Sequence, residues 1–294
     1  MLLTRVTLWG GLEGLRPSKK QVIRSGSAAP EPSPRKSYYR KKKSMSLRFH
    51  EIAEHRHRIL NPFTDAKLHL LADICRLHPG MRLLDLCCGK GEMLCRWSAQ
   101  SGLTGTGVDI SAVFLAAARE RALELQCADR VTFIEADAAT YPISTGAFDI
   151  ISCIGATWIG GGLVGTLERM RPGLRNTESL LLVGEPYWID EPPDEAYAAL
   201  TDGQRDMFTT LAGTEQRIAA AGLELVEMVL ADHGSWDRYA AAQWLTVSDW
   251  LRTHPASPEA AEIRQLHERS RRDYLTYTRR FLGWGVFVLR LPSA

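Results

Sequence analysis

The chain has 294 residues with 36 basic and 34 acidic side chains, and 45% of it is hydrophobic. That much apolar material supports a folded body of catalytic size and excludes a chain disordered throughout. The formal net charge of +2 averages two unlike parts: residues 1–44 carry eleven basic and two acidic side chains, a net of +9, whereas residues 45–294 carry 25 and 32, a net of −7.

The segment 1–44 contains Ala29-Pro30-Glu31-Pro32-Ser33-Pro34 and the run Arg40-Lys41-Lys42-Lys43. Such composition cannot bury a face, so a disordered basic tail is expected, of the kind that meets nucleic acid, anionic membranes or an import system. A break in composition at Met45 equally suits translation from an over-early start. The six cysteines, at 75, 87, 88, 95, 127 and 153, form no Cys-x-x-Cys pair. That spacing argues against a disulfide framework and against structural zinc, and points to reduced thiols in a cytoplasmic protein. No run approaches the roughly 18 apolar residues of a membrane span.

In chain order, periodicity predicts helices over 47–60 and 64–77, separated by Asn61-Pro62. A strand over 82–86 then leads into Cys87-Cys88-Gly89-Lys90-Gly91, followed by a helix to residue 101. Strands at 103–109, 131–135, 148–154 and 180–184 alternate with helices at 112–125 and 163–170. A long helical stretch over 194–221 precedes a strand at 223–231. Helices at about 237–252 and 258–279 precede a last strand at 285–291. Short apolar strands alternating with helices describe a parallel α/β sheet covered on both faces. The expected organisation is a tail (1–44), helices covering the site (45–80), an α/β core (81–232), and a helical lid segment with the last strand of the core (233–294).

In such a sheet, ligands bind beyond the carboxyl ends of the strands, near the switch in strand order. Asp85 and Gly89-Lys90-Gly91 lie at the turn after the first strand, where glycines admit close backbone approach. Asp109 ends the second strand, where a carboxylate can accept from both hydroxyls of a ribose. Asp137 follows the third strand, and Ile154-Gly155-Ala156-Thr157-Trp158 the fourth. A dinucleotide fingerprint would require glycine at 94, which is Leu94, and no Gly-Lys-Ser/Thr phosphate loop is present.

The string Leu84-Asp85-Leu86-Cys87-Cys88-Gly89-Lys90-Gly91, with Gly107-Val108-Asp109 and Ala136-Asp137-Ala138, resembles the first three motifs of class I S-adenosylmethionine-dependent methyltransferases. That resemblance implies a Rossmann-like, seven-stranded, mostly parallel sheet with an antiparallel last strand. From about 45 to 291 the chain is also similar to a poorly characterised bacterial family of such enzymes. The likeness runs through His57-Arg58-Ile59, Asn61-Pro62-Phe63-Thr64, Gly155-Ala156-Thr157-Trp158-Ile159, Gly184-Glu185-Pro186-Tyr187-Trp188, Trp236-Asp237-Arg238-Tyr239 and Gly283-Trp284-Gly285-Val286-Phe287. It implies that Asp85 organises the loop near the cofactor's amino group, and that Gly89 and Gly91 open the backbone to its methionine part. By the same likeness Asp109 holds the ribose and Asp137 the adenine amino group, with Ile110 and Ala138 packing on the base. Cys87 stands at the usual first-glycine position, and a packing change without loss of binding is expected.

Transfer of an activated sulfonium methyl requires alignment and water exclusion, with a base only where the acceptor is protonated. Tyr187 and His233 are the leading candidates for that base, ahead of His50, His55 and His57, because strand ends face the pocket. His57, Trp158, Trp188, Trp236 and Tyr239 are candidates to wall a small-molecule acceptor site, whereas Trp244 and Trp250, inside a helix, read as core. Nucleic acid is disfavoured as the acceptor, because the chain lacks an Asp/Asn-Pro-Pro-Tyr motif after the fourth strand and the body is acidic. Clustering of the cysteines in the first motif argues against arsenite. A non-catalytic S-adenosylmethionine-binding regulator is the alternative outside enzymes.

Overall fold

A computed structural model describes residues 45–292. The basic tail expected over 1–44 lies outside those residues. Seven strands form one sheet in the order β3-β2-β1-β4-β5-β7-β6. They are β1 (Arg82–Leu86), β2 (Thr104–Asp109), β3 (Val131–Glu135), β4 (Ile150–Ile154), β5 (Leu180–Trp188), β6 (Glu224–Leu230) and β7 (Leu282–Arg290). The first five run parallel, and β7 is antiparallel to both β5 and β6. The expected fold class is therefore the observed one.

Helix α1 covers residues 45–53, and α2 (Asp65–Ile74), α3 (Glu92–Ser101), α4 (Ala112–Glu124), α5 (Leu163–Met170), α6 (Asp194–Thr201), α7 (Leu211–Ala220), α8 (His233–Thr253) and α9 (Ala260–Asp273) follow. Their starts are written in side chains: Thr64 accepts from the Lys67 amide, Ser111 from the Phe114 amide, and Asp232 forms a reciprocal capping box with Ser235. One face of the sheet is covered by α2, α3 and α4 through Leu68, Leu71, Leu94, Trp97 and Leu115. The other carries α5 and α7 through Leu163, Leu167, Met170 and Ile218. A separate cluster of Phe49, Ile52, Val247, Leu251 and Ile263 binds α1 to α8 and α9. No helix of the described residues is long and apolar enough to cross a membrane.

Several boundaries differ from the periodicity reading, each for a physical reason. Strand β5 continues four residues past Gly184 because β7 pairs with it as far as Trp188↔Leu282. The stretch 194–221 is two helices, since Asp202 turns left-handed at φ 52° and Gly203 follows at φ 82°. The helix expected over 258–279 stays helical to Phe281, but it widens to a π-helical turn over Tyr274–Thr278 after α9 ends at Asp273. Helix α1 stops at residue 53 rather than 60, and residues 54–63 cross the sheet as an irregular strap. Trp250 packs in the α1–α8–α9 cluster, and Trp244 meets Tyr274 edge to face at 5.6 Å.

Candidate functional site

The strand order reverses between β1 and β4, and a cleft opens there with about 800 Å³ of unfilled space, part of it open to solvent. Its floor comes from the ends of β1, β2 and β4: Asp85, Cys87, Gly89, Lys90, Asp109, Ile154 and Gly155. Its roof is His50 of α1 and residues 58–61 of the strap, with Phe63 and Phe114 at the sides.

The loop after β1 is built on left-handed backbone. Gly89 and Gly91 have φ of +55° and +64°. A side chain at 89 would also meet the strap, because a Cβ there would lie 2.6 Å from Cδ1 of Leu60. Cys87 itself adopts φ +58°, so the position that is ordinarily glycine keeps the glycine conformation with a thiol on it. The Gly89 amide donates to Oδ2 of Asp109 at 2.9 Å, and the Ser111 amide donates to Oδ1 at 2.8 Å.

Two buried carboxyls face this loop, Asp109 with those two amides and Asp85 with a hydroxyl partner. Asp85 accepts from the Ser152 hydroxyl at 2.7 Å. Burial, and then the neighbouring Asp109 charge, push its pKa up to about 7 against the opposing Ser152 bond. Burial likewise raises the Cys88 thiol well above its ordinary value, with Asp85 and Asp109 adding to it, so that thiol stays protonated.

The remaining expected cofactor residues lie on adjoining strand ends and do not line the cleft. Ile110 follows β2 and is 38% exposed, whereas Ala138 is buried. Asp137 turns the chain after β3 by accepting from the Ala139 amide at 3.0 Å, and the Ala136 amide bonds the Asp109 carbonyl.

The expected acceptor residues divide into three places. Tyr187, Trp188, His233 and Trp236 line a second cavity of about 970 Å³ of unfilled space, part of it open to solvent, at the ends of β5 and β6. Tyr187 lies within β5 instead of after it, and its ring crosses Gly283, where a Cβ would sit 2.2 Å from Cζ. Burial raises the Tyr187 pKa, so its hydroxyl is a donor at neutral pH. Trp188 is 4% exposed and packs edge to face on Tyr197, yet its Nε1 finds no partner. His57 and Tyr239 stand together elsewhere, with ring centroids 5.0 Å apart, on the far side of the strap. Trp158 belongs to the turn after β4 and packs on the α5 side of the sheet.

Sequence reasoning missed the groups that hold the roof. Glu54 is fully buried, receives the Tyr239 hydroxyl and the Gln243 amide at Oε1, and lies 2.9 Å from Nδ1 of His57. Burial opposes its ionisation, but His57 and His50 outweigh it and hold the pKa at about 2. Lys90 Nζ donates to the carbonyl oxygens of Glu54, His55 and His57 at 2.8, 2.9 and 2.8 Å. Glu185, in β5, is a further buried carboxyl; burial lifts it to about 8, although Thr157 Oγ1 donates to it at 2.6 Å. The only sequence signal among these is a long cation between two glycines at position 90.

Comparison with known proteins gives the chain's relatives. Residues 83–176 match the model of a methyltransferase domain. The chain is 44% identical over 243 residues to the uncharacterized protein YjhP of Escherichia coli K12, covering 82% of this chain and 97% of that protein. It is similar to a crystal structure of a SAM-dependent methyltransferase from Geobacter sulfurreducens in complex with S-adenosyl-L-homocysteine. The identity there is 44%, the TM-score 0.77, and the match covers 83% of this chain and 98% of that one. A more distant likeness, 28% over 176 residues, is to the ubiquinone/menaquinone biosynthesis C-methyltransferase UbiE of Ectopseudomonas mendocina; it covers 56% of this chain and 65% of that protein.

Proposed function

Because this chain belongs to the S-adenosylmethionine-dependent methyltransferases, we propose that it transfers the methyl group by direct displacement to a small, partly apolar acceptor. The cavity at the ends of β5 and β6, walled by Tyr187, Trp188 and Trp236 with His233 on its rim, carries this reading. A buried indole N–H is ordinarily hydrogen-bonded, and Nε1 of Trp188, in the wall of this cavity, has no protein partner. The net charge of −7 over residues 45–294 does not attract a polyanion. The UbiE relative is named as a C-methyltransferase of ubiquinone/menaquinone biosynthesis, which supports testing quinol-type acceptors.

The donor set fits the cofactor. Asp85 and Asp109 offer carboxylates to a ligand with one ammonium group and two vicinal ribose hydroxyls. Gly89 keeps a side chain out of its methionine part, Gly91 lets the loop pack on Phe133 beneath it, and Asp137, Ile110 and Ala138 frame the adenine end. When bound, S-adenosylmethionine supplies a sulfonium methyl that needs no further activation.

The chain's own contribution is alignment and dryness. The strap and Phe63 shield the cleft, and the β4 turn at Ile154-Gly155 borders its floor. His233 accepts a proton where the acceptor carries one, and Tyr187 orients the acceptor through its hydroxyl. The test is a panel of small aromatic and quinol-type compounds with methyl-labelled S-adenosylmethionine. Label in such a compound, lost in Trp188→Phe and His233→Ala, is expected. Label only in RNA, DNA or protein would overturn the acceptor class.

A further inference from the structure

Lys90 sits between the two left-handed glycines of the cofactor loop, yet its side chain points away from the loop to the roof. All three donors of its ammonium group are used on backbone carbonyls in the turn that ends α1. Those carbonyls lie just past the end of α1 at residue 53, where the Glu54 carbonyl also accepts from the His57 amide at 3.0 Å. A cation at a helix C-terminus also meets the negative end of the helix dipole. Lys90 thus pins the turn after α1 from 33 to 36 residues away in sequence.

The same loop touches the strap a second time, through Gly89 against Leu60. From the other side the strap is fastened to α8. Tyr239 Oη lies 3.0 Å from the Leu60 carbonyl oxygen, Gln243 reaches Glu54, and Arg56 pairs with Asp249 at 2.8 Å. Residues 58–61 roof the cleft, so they stand over any ligand bound on its floor.

We infer that Lys90 is a positioning residue: by holding the carbonyls of Glu54, His55 and His57 it couples the cofactor loop to the strap, closing residues 54–61 over bound cofactor and setting the rate of cofactor release. The inference rests on the cofactor occupying the cleft floored by Asp85 and Asp109. Its ligand-side consequence is kinetic. A residue that merely stabilised the fold would lower the melting temperature without selectively changing release.

Release of S-adenosylhomocysteine, followed by stopped-flow tryptophan fluorescence with excess competitor, tests it. Lys90→Met keeps the aliphatic stem and removes the donors; release is expected to be about 10-fold faster, with association changed by less than about 2-fold. Lys90→Arg, which keeps a cation and several donors, should restore most of the slow release. On the unaltered protein, amide hydrogen exchange should show residues 54–61 gaining protection together with 88–91 when S-adenosylhomocysteine is added. Release from Lys90→Met at the rate of the unaltered protein overturns the inference, and so does a strap whose protection ignores the ligand. Calorimetry separates the two levels: an unaltered protein that fails to bind S-adenosylhomocysteine overturns the cofactor site as well.

Discussion

The amide of Gly89 donates to the carboxylate of Asp109 at 2.9 Å, fastening the loop after β1 to the last residue of β2. The carboxylate is thereby fixed before any ligand arrives, which is how a site reduces the ordering cost of binding. Asp109→Ala removes this anchor together with the ribose acceptor. Its affinity for S-adenosylmethionine, measured by calorimetric titration, should fall by about 10-fold or more, the scale of a lost hydrogen bond to a charged group.

Asp85 makes binding pH-dependent. In the free protein burial and the Asp109 charge hold its pKa near 7, so it is largely protonated at pH 6. An ammonium group brought against it favours the charged form, and the proton leaves. Affinity for S-adenosylmethionine should therefore rise with pH up to about 7 and level off above. Titrations at pH 6 in two buffers of different ionisation heat should report proton release, and Asp85→Asn should abolish the difference.

Cys87 holds a left-handed conformation, φ +58°, that a side chain resists. Cys87→Gly relieves the strain but adds unfolded-state entropy, and the first effect is the larger at such a position, by about 1 kcal/mol. The melting temperature should rise by roughly 2–4 °C, with cofactor affinity little changed. A lower melting temperature would show that the thiol's packing beside Cys153 outweighs the strain.

Glu185 should set the alkaline side of the stability profile. Its folded pKa is raised by burial to about 8, so the folded state holds a proton that the unfolded state releases earlier. Its favourable contribution is complete below the ordinary carboxyl pKa and is lost as pH rises through about 8. Glu185→Gln keeps an acceptor for the Thr157 hydroxyl and removes the titration. Thermal melts should be similar for the two proteins at pH 4, with the variant increasingly the more stable one towards pH 8.5.

Strands β1 to β4 and their terminal acids were legible because apolar runs bounded by glycine and aspartate are local signals. The extension of β5 through Tyr187 and Trp188 was not, since it depends on pairing with β7, almost 100 residues later. Expecting Tyr187 and Trp188 to follow the strand therefore misjudged their burial, although the two do border one cavity with His233 and Trp236. The helix expected over 47–60 had the right composition. The turn that follows residue 53 is held by Lys90, whose place no window around residue 54 contains. Glu54 gave no signal for the same reason, as its partners Tyr239 and Gln243 lie on α8.

A crystal structure of this protein with S-adenosylhomocysteine tests the account most directly. It should show both ribose hydroxyls on Asp109, the amino group beside Asp85, the adenine between Ile110 and Ala138 near Asp137, and the strap closed above. Ligand bound elsewhere, or bound in the cleft without contact to Asp85 and Asp109, would contradict it.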